Sequence, residues 1–224
     1  MNQAVTQQPV TIRDGNAQLT GDLTLPPSAI GLVIFAHGSG SSRLSPRNRM
    51  VADVLVSHRC ATLLFDLLTD EEAADRSNVF DIELLAQRLL MASKHMREEP
   101  RTQALPQAYF GASTGAAAAL VAAAEAAQSE AHNAPVAVVS RGGRPDLAGD
   151  HLADVTCPTL LLVGSLDSQV LELNRHAQQR LRCESRLDII DGATHLFEEP
   201  GTLEDVSRRA AEWFTDAFER QALE

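Results

Sequence analysis

Short, nearly unbroken apolar runs alternate along the chain with longer stretches whose apolar residues recur every three to four positions. Residues 9–13 and 17–25 alternate apolar and polar side chains, which predicts an antiparallel hairpin turning at Asp14-Gly15-Asn16. Gly31-Leu32-Val33-Ile34-Phe35-Ala36 is apolar throughout and suits a strand covered on both faces. Similar strands are predicted at 61–65, 107–111, 135–140, 159–164 and 186–190. Helices are predicted between them. One spans 46–58, with Met50, Val51, Val54 and Leu55 on one face. A second spans 81–97, with Ile82, Leu85, Leu89 and Met96. An alanine-rich helix spans 113–128 and another spans 170–181. The last spans 203–222 and carries Val206, Trp213, Phe214 and Phe218.

Buried strands alternating with helices predict an α/β fold. Its central sheet is expected to be mostly parallel, with an N-terminal antiparallel hairpin and helices on both faces. Residues 67–79 and 141–156 are the longest irregular stretches and read as candidate site loops. Neither is long enough for a large cap domain. The 224 residues fit a single domain spanning 1–224, with no repeat or linker.

Composition narrows the classes. No apolar run reaches the roughly 18–20 residues needed to cross a bilayer. Residues 1–9 are polar and do not resemble a secretory signal, so the expected location is cytoplasmic. Cys60, Cys157 and Cys183 lack metal-ligand spacing and read as free thiols, Cys60 and Cys157 as buried ones. A net charge of −11 argues against nucleic acid as a partner. The expected partner is a small molecule, with no membrane contact; oligomeric state is not legible.

The pentapeptide Gly111-Ala112-Ser113-Thr114-Gly115 matches G-x-S-x-G. A chain of this size carries that pattern by chance in roughly 5–8% of cases, so context decides. Here it joins a predicted strand to a predicted helix, as a nucleophile elbow requires. The alternative is a glycine-rich turn without chemistry. No phosphate-loop pattern accompanies it.

A serine hydroxyl needs a base. Of seven histidines, His195 lies in the loop between the last strand and the last helix. His58, His95, His132, His151 and His176 fall on or beside helices and read as surface or packing residues. Asp167 follows the penultimate strand and is the candidate to orient the imidazole. Asp191 and Glu198 are nearer to His195 along the chain, but that is not orientation. Asp191 reads as a turn residue, and Asp66 as a supporting group. Two backbone N–H donors are expected to face a developing oxyanion: Thr114, and Ser39 in His37-Gly38-Ser39-Gly40-Ser41-Ser42.

Together these motifs resemble the dienelactone hydrolase-like branch of the α/β-hydrolases, across nearly the whole chain. The segments 37–42, 111–115 and 192–195 carry the resemblance, and so does the chain order Ser113, Asp167, His195. The resemblance implies the α/β-hydrolase fold and a Ser-His-Asp triad that needs no metal or organic cofactor. Dienelactone hydrolases use a cysteine where Ser113 stands, which favours a generic carboxylic ester as substrate. Some members of that branch look like domains fused to phosphoribosyltransferases. A thioesterase or acyltransferase would use the same residues. A ligand-binding protein that keeps the fold without catalysis is the rival from another class.

Arginines gather at the expected pocket mouth. Arg43 and Arg47 follow the donor loop, and Arg141 and Arg144 follow the strand ending near Ser140. With His37 they are candidate substrate contacts, which would favour an anionic ester. Pairing with Asp66, Asp70, Asp75, Asp146 or Asp150 is the other reading.

Overall fold

A computed structural model describes residues 4–15, 17–129 and 133–223; Asn16 of the predicted turn and His132 lie outside them. The elements follow the expected order. β1 (Thr6–Asp14) and β2 (Ala17–Leu25) form the hairpin, in antiparallel register from Thr6↔Leu25 to Asp14↔Ala17. β1 starts three residues earlier than the alternation indicates, and Pro9 sits inside it. An edge strand tolerates this, because one row of its N–H groups has no neighbour to bond.

β3 (Gly31–Ala36), β4 (Cys60–Phe65), β5 (Gln107–Ala112), β6 (Val138–Arg141), β7 (Thr159–Gly164) and β8 (Ser185–Ile190) complete an eight-stranded sheet of order β1-β2-β4-β3-β5-β6-β7-β8. β2 pairs antiparallel with β4, and every later pairing is parallel. Every residue of β3, β4, β5 and β7 is buried. Their unbroken apolar runs follow from cover on both sides.

The cover divides into two cores. On one face lie α3 (Ile82–Glu98) and α4 (Thr114–Ser129), with Leu85, Leu89 and Ala117 to Ala124 against Ile34 and Tyr109. The alanines present only methyl groups, so α4 can be almost wholly buried against the sheet. On the other face lie α1 (Pro46–Ser57) and α6 (Thr202–Gln221). Val206, Ala210, Phe214 and Phe218 repeat every four residues along α6 and bury one stripe against Phe35 and Phe110.

The two irregular stretches carry short helices. α2 (Asp70–Ala74) is started by a capping box between Thr69 and Glu72. A 3-10 stretch, Pro145–Asp154, follows β6. α5 (Ser168–Arg180) connects β7 to β8. The cysteines are free, with Cys60 and Cys157 buried. No helix among the described residues is long and apolar enough to cross a membrane.

Candidate active site

Parallel strands end on the same side of the sheet, so the loops after β3, β5, β6, β7 and β8 converge there. Ser113 stands between β5 and α4 with φ +52, a left-handed conformation rare for a residue with a Cβ. Backbone bonds hold it there. Its N–H donates to Arg141 O at 3.2 Å, and its carbonyl accepts from Ala116 N and Arg144 N, each at 3.1 Å. The flanking glycines allow this turn by close approach. A Cβ on Gly111 would lie 2.4 Å from Ala116 Cα, and one on Gly115 would lie 2.2 Å from Ala36 O. The pentapeptide therefore needs glycine at both ends for space.

His195 Nε2 lies 3.5 Å from Ser113 Oγ, and His195 Nδ1 lies 2.6 Å from Asp167 Oδ2. The second contact is short and charge-assisted. The first is loose, as such contacts often are before substrate arrives. Asp167 occupies the N-cap position of α5 yet makes no capping bond with its side chain. An aspartate there ordinarily caps the helix; here its carboxylate goes to His195 instead. The loops carrying the two residues are laced together. Leu166 N donates to Ala193 O at 3.0 Å, and Gly192 N donates to Ser165 Oγ at 2.8 Å. Glu199, which sequence reasoning did not single out, braces Thr194, the residue before His195. Its carboxylate accepts from Thr194 Oγ1 at 2.6 Å and Thr194 N at 3.1 Å. These bonds hold its carboxyl below the usual range. Asp191 lies in a turn, as expected.

Ser39 and Thr114 also meet, but not as two free donors. Ser39 N–H donates to Thr114 Oγ1 at 2.9 Å. Thr114 opens α4, where backbone N–H groups have no partner within the helix. His37 corrects the expectation of a substrate contact. Its Nδ1–H donates to Gly38 O at 3.0 Å, and its Nε2 accepts from Leu67 N at 3.1 Å. Both ring nitrogens are thus used to brace the donor loop. Burial lowers its pKa and keeps the ring neutral. Beside this loop lies a cavity of about 390 Å³, with Leu67, Leu68, Val79 and Leu85 in its lining. Residues 67–79, read as a candidate site loop, supply Leu67, Leu68 and Val79 to this wall, although no periodicity marked those positions individually.

Two of the four arginines are also corrected. Arg43 is paired with Asp66 through both its backbone N–H and its guanidinium. Arg144 forms a two-pronged bond with Asp146, at 2.8 Å on each prong. Their charge is therefore neutralised locally. Arg47 reaches Glu198 at 3.4 Å. Arg141 is 9% exposed and makes no ion pair with a carboxylate among the described residues. Asp66, expected as a supporting group, serves Arg43. The two buried thiols are poor nucleophiles. Burial pushes Cys60 up to about 11 and Cys157 up to about 12, which keeps both protonated at neutral pH.

Similarity to known proteins agrees with the fold. The model of the alpha/beta hydrolase domain family matches residues 29–218. A Mycobacterium tuberculosis protein named "Putative phosphoribosyl transferase" is 56% identical over 207 residues, covering 92% of this chain and 46% of its own length. The chain thus spans about half the length of the curated relatives it matches. A dienelactone hydrolase from Anabaena variabilis is 50% identical, with a TM-score of 0.91 over 96% of this chain and 99% of that one. Est1E from Butyrivibrio proteoclasticus shares the fold at 16% identity, with a TM-score of 0.77 over 94% of this chain and 99% of that one. The chain belongs to the α/β-hydrolase family, on its dienelactone hydrolase-like branch.

Proposed function

We propose that the chain is a serine hydrolase that cleaves a small carboxylic ester through an acyl-enzyme on Ser113. The observation that carries this reading is the line from Ser113 Oγ through His195 to Asp167 Oδ2, at 3.5 and 2.6 Å. Ser113 Oγ attacks the ester carbonyl carbon while His195 Nε2 takes its proton. The carbonyl oxygen becomes an oxyanion beside the N–H groups of Thr114 and Ser39. For this, Ser39 N–H exchanges Thr114 Oγ1 for the oxyanion. The tetrahedral adduct collapses, the C–O bond to the leaving group breaks, and the alcohol leaves with the proton from His195. Water then attacks the acyl carbon, with His195 again as the base. The carboxylic acid departs and Ser113 regains its hydrogen. Asp167 accepts the Nδ1–H bond throughout and stabilises the transient imidazolium.

The cavity of about 390 Å³ beside the donor loop suits a short acyl or alcohol group. A fluorophosphonate probe should label Ser113 in the folded protein and leave Ser113→Ala unlabelled. Hydrolysis of short p-nitrophenyl esters should fall on the order of 10⁴-fold or more in that variant. Folded protein that neither reacts with the probe nor hydrolyses any ester would favour a non-catalytic binding role.

A further inference from the structure

Arg141 ends β6, and its carbonyl accepts the Ser113 N–H at 3.2 Å, so its backbone adjoins the nucleophile. Its side chain lies toward Phe110, with the guanidinium carbon 6.0 Å from the ring centroid. That is the outer limit of useful cation–π attraction. Its Nη1 is buried and has no hydrogen-bond partner. The charge that bears on it comes from Arg47, and that is a like charge. Burial and Arg47 push Arg141 down to about 10, which still leaves it cationic at neutral pH.

Arg47 lies in the first turn of α1, a twelve-residue helix with no acidic residue in that turn. The N-terminus of such a helix is itself partly positive. Arg47 Nε is also buried without a partner, and the Nη1 contact with Glu198 is long at 3.4 Å. Glu198 lies three residues beyond His195, so Arg47 spans from α1 toward the loop of the base. Two like charges therefore bear on one another here; Arg47 has Glu198 at 3.4 Å, and Arg141, whose backbone adjoins Ser113, meets no carboxylate among the described residues. Buried charges are ordinarily paired, because desolvating one alone is strongly unfavourable. Arg43 and Arg144, on neighbouring loops, follow that rule within the chain.

We propose that Arg141, with Arg47, is a specificity subsite that binds an anionic group of the substrate, a carboxylate or a phosphate, a role that rests on the hydrolytic reading of Ser113. The anion supplies the missing counter-charge and positions the ester carbonyl over Ser113 Oγ. Guanidinium forks suit both groups because each presents two oxygens to paired N–H donors.

The test uses two substrates and two free anions. Wild-type protein should turn over mono-p-nitrophenyl succinate with kcat/KM about 10-fold or more above its neutral isostere, p-nitrophenyl pentanoate. Arg141→Met should bring that ratio close to one, chiefly through KM for the anionic ester. Arg47→Gln should lower the ratio part of the way. Arg141→Gln repeats the measurement if the Met variant does not fold. Separately, Ser113→Ala protein should gain thermal stability with millimolar succinate or inorganic phosphate, and the Ser113→Ala/Arg141→Met protein should not. A larger gain with succinate assigns the subsite to carboxylates, and a larger gain with phosphate assigns it to phosphates. An unchanged ester ratio in Arg141→Met, or no anion effect on Ser113→Ala, overturns the subsite. Anion binding without turnover of any ester would overturn the hydrolase reading and leave the subsite standing. Turnover without anion preference or binding would do the reverse.

Discussion

Arg43 and Arg141 flank the same serine on opposite sides, and their environments differ completely. Arg43, on the side of β4, is held by Asp66 and lies 3.6 Å from Asp22. His37 on that flank spends both ring nitrogens on the backbone. The cavity there is lined by the apolar side chains of Leu67, Leu68, Val79 and Leu85 together with Arg43, Asp66 and Asp70. Arg141, on the side of β6, is more deeply buried and meets no carboxylate among the described residues. On one flank the arginine charge is met by acid, and on the other it is not. Whether an acid lies within reach, and not burial alone, separates the two arginines.

The largest effect expected on this picture comes from the shared centre. Asp167→Asn keeps the size of the side chain but can present an N–H toward His195 Nδ1, favouring the wrong tautomer. It should lower kcat by on the order of 10⁴-fold, with little change in KM. It should lower anionic and neutral esters alike, because both flanks deliver substrate to one triad. A loss confined to one substrate class would break that separation; steady-state kinetics on both esters measures it.

The two arginines should respond in opposite directions when each becomes methionine. Arg43→Met leaves the carboxylates of Asp66 and Asp22 short of a partner and should cost about 1–2 kcal/mol in urea unfolding. The pair is about a quarter exposed, so solvent moderates the loss. Arg141→Met removes a buried cation that has no partner and fills the space with an apolar chain. It should hold or raise stability, by about 1 kcal/mol at most. Destabilisation in both variants would mean that Arg141 has a structural partner after all.

Much of this architecture was legible in the sequence because it depends on local pattern. β3 and β7 begin and end where their apolar runs do, since fully covered strands need apolar residues throughout. Ser113, Asp167 and His195 stand after strands in the chain order read at the outset, and the structure brings their side chains together. The arginines were not resolved in the same way. Arg43 and Asp66 are 23 residues apart, and nothing in either segment indicates that β3 and β4 are neighbours ending side by side. Arg144 and Asp146 are two residues apart, and that pairing, like Arg43 with Asp66, was among the readings open at the outset. The lack of a partner at Arg141 is a property of three dimensions only. The 67–79 stretch was read as a site loop, but Leu67, Leu68 and Val79 could not be picked out within it, because an irregular stretch leaves no period to read.

The flank of Arg43 also makes a prediction about acid stability, carried by His37. Burial lowers its pKa in the folded protein, against smaller raising effects from the Gly38 carbonyl and Asp66. In the unfolded chain an imidazole titrates near about 6.5. Above that pH both states are neutral, and His37 adds no pH dependence. As pH falls through about 6.5, the unfolded chain binds a proton that the folded loop refuses, so stability falls. The loss continues until the pH reaches the lower folded value and then stops. Protonation would also put a hydrogen on Nε2, where Leu67 N–H already points. His37→Gln keeps an acceptor for Leu67 N–H but does not titrate. Its unfolding free energy should therefore decline less steeply between pH 7 and 5, by at most one proton, or about 1.4 kcal/mol per pH unit. Equal slopes for the two proteins in urea titrations at several pH values would show that His37 is not held neutral, and the donor loop would then owe its shape to other contacts.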